Sequence, residues 1–132
     1  MKRTLIPLAS LLMAGPAVAT AQSLDGKWIN PKRSVIVTVD RCGNAYCGTV
    51  SWASKHNREK VADNGRQLVG TRILSGLKPA GAGLYKGQAF EPKRNIRGSA
   101  IVRQVGADTM VVKGCAVMGL FCKEQRWTRV TS

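Results

Sequence analysis

Four cysteines, one histidine and seven carboxylates are the reactive stock of this 132-residue chain. The cysteines fall as two local pairs, Cys42 with Cys47 and Cys115 with Cys122. An even count at hairpin spacing reads as disulfides in a chain that passes through an oxidising compartment. A two-residue turn at Asn44-Ala45 sets Cys42 directly opposite Cys47, and one at Met118-Gly119 sets Cys115 opposite Cys122. Alpha carbons at non-hydrogen-bonded cross-strand positions lie about 4.5 Å apart, within disulfide reach. Each short loop closure stabilises by about 2 kcal/mol on the chain-entropy model. Two rival arrangements are crossed disulfides joining the hairpins and a four-cysteine zinc site, whose ligands usually come in pairs roughly two to four residues apart. No Cys-x-x-Cys pair is present to support thioredoxin-like exchange.

The remaining reactive groups do not assemble into a catalytic pattern. His56 stands in a polar stretch between Lys55 and Asn57 and reads as an exposed loop histidine. Asp25, Asp40, Glu59, Asp63, Glu91, Asp108 and Glu124 are scattered, mostly at turns, without the spacing of a carboxylate pair. Ser51, His56 and Asp63 can be written down as a hydrolase triad, but no Gly-x-Ser-x-Gly frames the serine. No phosphate-binding loop precedes a Lys-Ser/Thr pair, and no His-x-x-x-His ligand set exists. The expectation is a protein without catalytic residues, metal or cofactor, with an uncharacterised hydrolase as the weaker enzymatic reading.

A binding face is a better prospect. Phe121, Lys123, Gln125, Trp127 and Arg129 alternate along the last apolar-polar segment and share one face of a strand. If that face looks into a barrel, Lys123, Gln125, Trp127 and Arg129 suit a ligand with an apolar body and an acidic head, such as a fatty acid or lipid fragment, its chain held by Val35, Val37 and Val39. If it looks outward, the same charges are solvated.

The elements that must position these groups are strands. Val35-Ile36-Val37-Thr38-Val39 is almost wholly β-branched and pairs as a hairpin with Tyr46 to Trp52. Ala53 to Gln67 is polar and holds a short helix or an open loop. Strands resume at Val69 to Leu74 and Leu84 to Phe90, separated by a Gly- and Pro-containing turn over Ser75 to Gly83. Ile96 to Val105 alternates, Gly106-Ala107-Asp108 turns, and Thr109 to Cys115 and Phe121 to Val130 complete about eight strands. Regular turn signals without a long helix predict a closed antiparallel barrel or a sandwich.

Residues 1–21 read as a secretory signal peptide. Met1-Lys2-Arg3 is charged, Leu5 to Met13 apolar, and Ala19-Thr20-Ala21 a small-residue cleavage site. The apolar run is far short of the roughly 20 residues that span a bilayer. Residues 22–132 are then one domain. Without Lys2 and Arg3 the chain keeps 19 Lys and Arg against 7 acids, a balance of +12, which attracts polyanions. The basic residues are dispersed, aromatics are few, and no nucleic-acid-binding signature accompanies them. Dispersed in this way they read first as a solvated surface, and the functional alternative is attraction to anionic envelope material such as lipopolysaccharide phosphates.

Gly26-Lys27-Trp28 before the first strand pair, with Trp127-Thr128-Arg129 closing the last strand, resembles the signature of lipocalin-like barrels. There a Trp plugs one end of the barrel and an Arg from the final strand packs over its ring. The resemblance implies that Gly26, Trp28 and Arg129 form such a plug. A longer ordered set is similar to a family of small exported bacterial proteins catalogued as a domain of unknown function. It runs from Cys42-Gly43-Asn44-Ala45-Tyr46-Cys47-Gly48, Val50 and Trp52, through Gly70-Thr71-Arg72-Ile73-Leu74-Ser75-Gly76-Leu77, to Gly114-Cys115 and Phe121 to Arg129. It implies a lipocalin-like barrel in the bacterial envelope and no established reaction. One departure stands out. Similar proteins follow the Asp/Glu-Pro dipeptide with acidic and glycine residues, whereas Glu91-Pro92 here leads into Lys93-Arg94-Asn95. A turn of that composition beside a ligand entrance leans towards anions.

The sequence therefore predicts a single antiparallel lipocalin-like β-barrel, periplasmic or secreted, not membrane-spanning and without a nucleic-acid partner. It is expected to bind a small amphipathic or anionic, lipid-like ligand without catalysis. The alternative is a basic envelope-interaction protein binding polyanions or a protein partner through its outer surface.

Overall fold

Alternation of side chains decides the architecture. In the computed structural model, which describes residues 23–116, 119 and 121–131 together with Pro7 and Ser10, the strands are β1 (Gly26–Ile29), β2 (Val35–Cys42), β3 (Ala45–Ala53), β4 (Arg72–Pro79), β5 (Leu84–Glu91), β6 (Ile96–Val105), β7 (Thr109–Ala116) and β8 (Phe121–Arg129). One helix, α1 (Lys55–Ala62), lies between β3 and β4. Every strand pairs antiparallel with the next, and β1 closes on β8 through Trp28 opposite Arg129. The result is an all-β closed antiparallel barrel, which leaves no sheet edge unpaired. The expected signal peptide lies outside the described residues except for Pro7 and Ser10, as does Met118 of the expected last hairpin turn.

The inner face is apolar and occupied. Trp28, Val37, Val39, Val50, Leu77, Val102 and Met110 are each 2% exposed or less. Their strand neighbours, such as Lys27, Asp40, Lys78, Arg103 and Lys113, face water. Small inner residues on β5 to β7 let the wall curl tightly. A methyl group placed on Gly114 would sit 3.8 Å from the Ala89 methyl, although β6 separates their strands. The buried side chains pack on one another as a single apolar core inside the barrel.

Two local expectations shift. The first hairpin turns at Gly43-Asn44, not Asn44-Ala45, because Gly43 takes φ 70°, a conformation that favours glycine. Cys42 thus faces Ala45, and Cys47, opposite Asp40, is its diagonal neighbour; the two are still disulfide-bonded, with alpha carbons 5.8 Å apart. Cys115 stands directly opposite Cys122 and is bonded to it. The residues expected as a turn from Ser75 onward instead continue β4 to Pro79, since a bulge between Ser75 and Lys78 restores the register and buries Leu77. Of the short helix or open loop expected over Ala53 to Gln67 the chain takes the helix, α1, capped by Ser54, whose hydroxyl accepts the Asn57 N–H.

Candidate functional site

An up-and-down barrel sorts its connections alternately between two ends. One end holds residues 23–25 and the β2–β3, β4–β5 and β6–β7 turns. Here Arg129 lies over the Trp28 ring, 4.3 Å from its centre. Its guanidinium donates from Nη1 to the Asp25 carbonyl at 2.6 Å, from Nη2 to that of Ser23 at 3.0 Å, and from Nε to that of Ala107 at 2.8 Å. The Trp28 indole N–H donates to the Leu24 carbonyl at 3.0 Å. Gly26, at φ 134°, leaves room for this: a Cβ there would meet Arg129 Nη1 at 2.5 Å. Each nitrogen of the Arg129 guanidinium is thus turned to a carbonyl group of the plugged end.

The opposite end is electrostatically different. Its connections are residues 30–34, 54–71, 92–95 and 117–120. In sequence they carry eight Lys or Arg, namely Lys32, Arg33, Lys55, Arg58, Lys60, Arg66, Lys93 and Arg94, against Glu59 and Asp63. The connections of the plugged end carry no Lys or Arg and two acids, Asp25 and Asp108. Lys123, third residue of β8, adds another cation near the basic rim.

The segment after α1 and the β5–β6 turn are tied together across this end. Lys93 Nζ donates to Asn57 Oδ1 at 2.8 Å, the Asn64 amide donates to the Lys93 carbonyl, and Arg66 Nη2 donates to Asn95 Oδ1 at 2.7 Å. Asn57 is buried. The Phe90 ring braces Arg66 and Arg97, whose guanidinium carbons lie 5.3 and 4.5 Å from its centre. Between the two segments is an open hollow of about 280 Å³ lined by Asn64, Arg66, Lys93, Arg94 and Asn95. Burial holds the Lys93 ammonium below the ordinary lysine range, and Lys60, Lys32 and Lys123 push the same way, against Glu91. Three further elements thus bring positive charge to one ammonium. Glu91 is engaged in capping the turn, accepting the Arg94 N–H at 2.7 Å. Among the described residues the one ion pair is Lys55 with Glu59, exposed and at 3.7 Å. The arrangement offers unneutralised cations and amide groups to an anion.

The last-strand residues share an inner face but not a site. Lys123 is exposed near the basic rim, Gln125 is half-buried, and Trp127 is buried with its indole N–H unpartnered among the described residues. Arg129 belongs to the plug, six residues and about 20 Å of extended strand from Lys123. No single head group reaches both cations. Ser51, His56 and Asp63 are exposed, and Ser51 donates to the Ile36 carbonyl at 3.3 Å while Asp63 caps α1. Among the described residues no three His, Cys, Asp or Glu side chains gather as a metal set. Arg66, Lys60 and Lys32 escaped the sequence reading because they are far apart in the chain. The signal that finds them is the charge summed over alternate connections of an up-and-down barrel.

A family model described as "Uncharacterized protein conserved in bacteria (DUF2147)" matches residues 26–129. The match spans all eight strands, and the chain belongs to this family. Comparison with curated proteins and with solved structures finds no match.

Proposed function

We propose that this member of the DUF2147 family is a non-enzymatic binding protein of the bacterial envelope that takes anionic ligands at the helix-bearing end of its barrel. The observation that carries the reading is charge polarity: the connections of one end carry eight cations against two acids, whereas those of the other carry two aspartates and neither Lys nor Arg. Such a field orients an approaching polyanion and concentrates it at one face. The hollow between Arg66, Lys93 and Arg94 gives the field a shaped site, with Asn64 and Asn95 beside it. Phosphate groups of envelope polyanions fit this chemistry, since guanidinium donors match their oxygens in pairs. The signal-like first 21 residues and the two disulfides support an extracytoplasmic location. No helix among the described residues is long and apolar enough to cross a membrane.

One observation favours a second reading, a ligand reaching into the barrel. The Trp127 indole N–H is buried without an acceptor among the described residues, which costs about 1–3 kcal/mol unless something accepts it. The buried apolar core inside the barrel favours the surface site.

Calorimetric titration with polyphosphate tests the proposal. Arg66→Ala/Lys93→Ala/Arg94→Ala should weaken binding by about tenfold or more, equivalent to about 1.4 kcal/mol. Lys78→Ala/Lys86→Ala/Arg103→Ala removes the same charge from the outer wall of β4 to β6 and should leave affinity within about threefold of the parent. Equal losses from both sets would mean diffuse attraction without a site.

A further inference from the structure

We infer that the basic end docks on an anionic lipid surface, with Phe121, Ile96 and Trp52 entering the zone between headgroups and acyl chains. This deepens the anion-binding reading and rests on it. Phe121 is 71% exposed, Trp52 46% and Ile96 39%; Val105, the fourth large exposed hydrophobic residue among the described residues, belongs to the other end. Phe121 begins β8, Ile96 begins β6 and Trp52 is the last residue but one of β3, so all three stand where their strands reach the basic end. Water-exposed aromatic and branched aliphatic groups ringed by Lys and Arg form an amphipathic rim rather than a purely ionic one.

A soluble polyanion satisfies the cations of that rim and leaves the apolar groups in water. A bilayer containing anionic lipid satisfies both, because Trp and Phe partition to the headgroup boundary while Lys and Arg meet the phosphates. The cations also lie on several connections around the end, residues 30–34, 54–71 and 92–95, with Lys123 beside them, which suits an extended surface better than a bounded partner. Binding at a membrane surface scales with the apolar area buried there plus the electrostatic attraction to anionic lipid, and this rim supplies both. The disulfide between Cys115 and Cys122 staples β7 to β8 next to Phe121, so the most exposed ring adjoins a covalent cross-link between the two strands.

The experiment uses the full chain with vesicles of phosphatidylcholine alone or with about 30% phosphatidylglycerol, read by flotation and tryptophan emission. Trp28 and Trp127 are buried and Trp52 is exposed, so a shift to shorter wavelength on binding reports Trp52. Binding is expected to the anionic vesicles and not to the neutral ones. Phe121→Ser/Ile96→Ser should weaken vesicle binding about tenfold or more while polyphosphate affinity stays within about twofold, which also shows that the variant is folded. A variant that binds vesicles as the parent does overturns the inference, since charge alone would then hold the protein. Binding to polyphosphate but not to vesicles overturns it too and leaves the anion-binding reading standing. Failure to bind either removes both.

Discussion

Arg129 and Lys93 are both cations at barrel ends, yet their surroundings give them opposite roles. Arg129 is held by three carbonyl oxygens and the Trp28 ring. Trp28→Ala should therefore lower stability by about 3–5 kcal/mol. Arg129→Ala should cost less, and the double variant should be non-additive because the two side chains touch. Urea unfolding of the four proteins checks this, and strict additivity would contradict it. Gly26→Ala should also destabilise, since its methyl would displace the guanidinium.

Lys93, by contrast, has one amide acceptor and three lysines pressing on it. Its folded-state pKa is lowered by burial first and by Lys60, Lys32 and Lys123 next. The unfolded chain then binds more protons than the fold between the depressed value and the ordinary one, so this residue's contribution to stability rises with pH across that window and is unfavourable below it. An anion bound in the hollow reverses the imbalance. Side-chain NMR of the ammonium should show the Lys93 pKa rise when polyphosphate is added, and an unchanged titration would place the ligand elsewhere.

Short elements make the end that these residues share. Ser54 caps α1, and Asn57 and Val61 bury one side of the helix. Ser54→Ala should cost about 1 kcal/mol and loosen the tie between Asn57 and Lys93, seen as faster amide exchange in residues 55–62. Each disulfide closes a short loop, of 5 and 7 residues separation. Replacing Cys115 and Cys122 by serine should lower stability by about 2 kcal/mol, and peptide mapping without reduction should show Cys42 linked to Cys47 and Cys115 to Cys122. These pairs were readable from the chain because hairpin partners are local. Val35, Val37 and Val39 were readable as one face because a period of two has few other meanings. The turn at Gly43 and the length of β4 were not. A glycine marks where positive φ is allowed without saying which turn position uses it, and a bulge hides the strand that continues past it.

The distribution of charge over the barrel was the least legible property, although every charge is in the sequence. Lys32, Lys60, Arg66 and Lys93 are separated by up to 61 positions and look dispersed along the chain. Only the alternation of connections between two ends gathers them, and that follows once eight consecutive antiparallel strands are established. The same topology carries Asp25 and Asp108 to the plugged end. A diffuse net charge would attract polyanions without orienting them, whereas a polar barrel presents one end.

Backbone amide NMR during titration with polyphosphate at moderate salt tests that account most directly. The prediction is that shifts concentrate in residues 30–34, 54–71 and 92–95, with Lys123, and that the β2–β3, β4–β5 and β6–β7 turns stay unmoved. Shifts spread evenly over both ends, or centred on inner-face residues such as Val102 and Trp127, would contradict it.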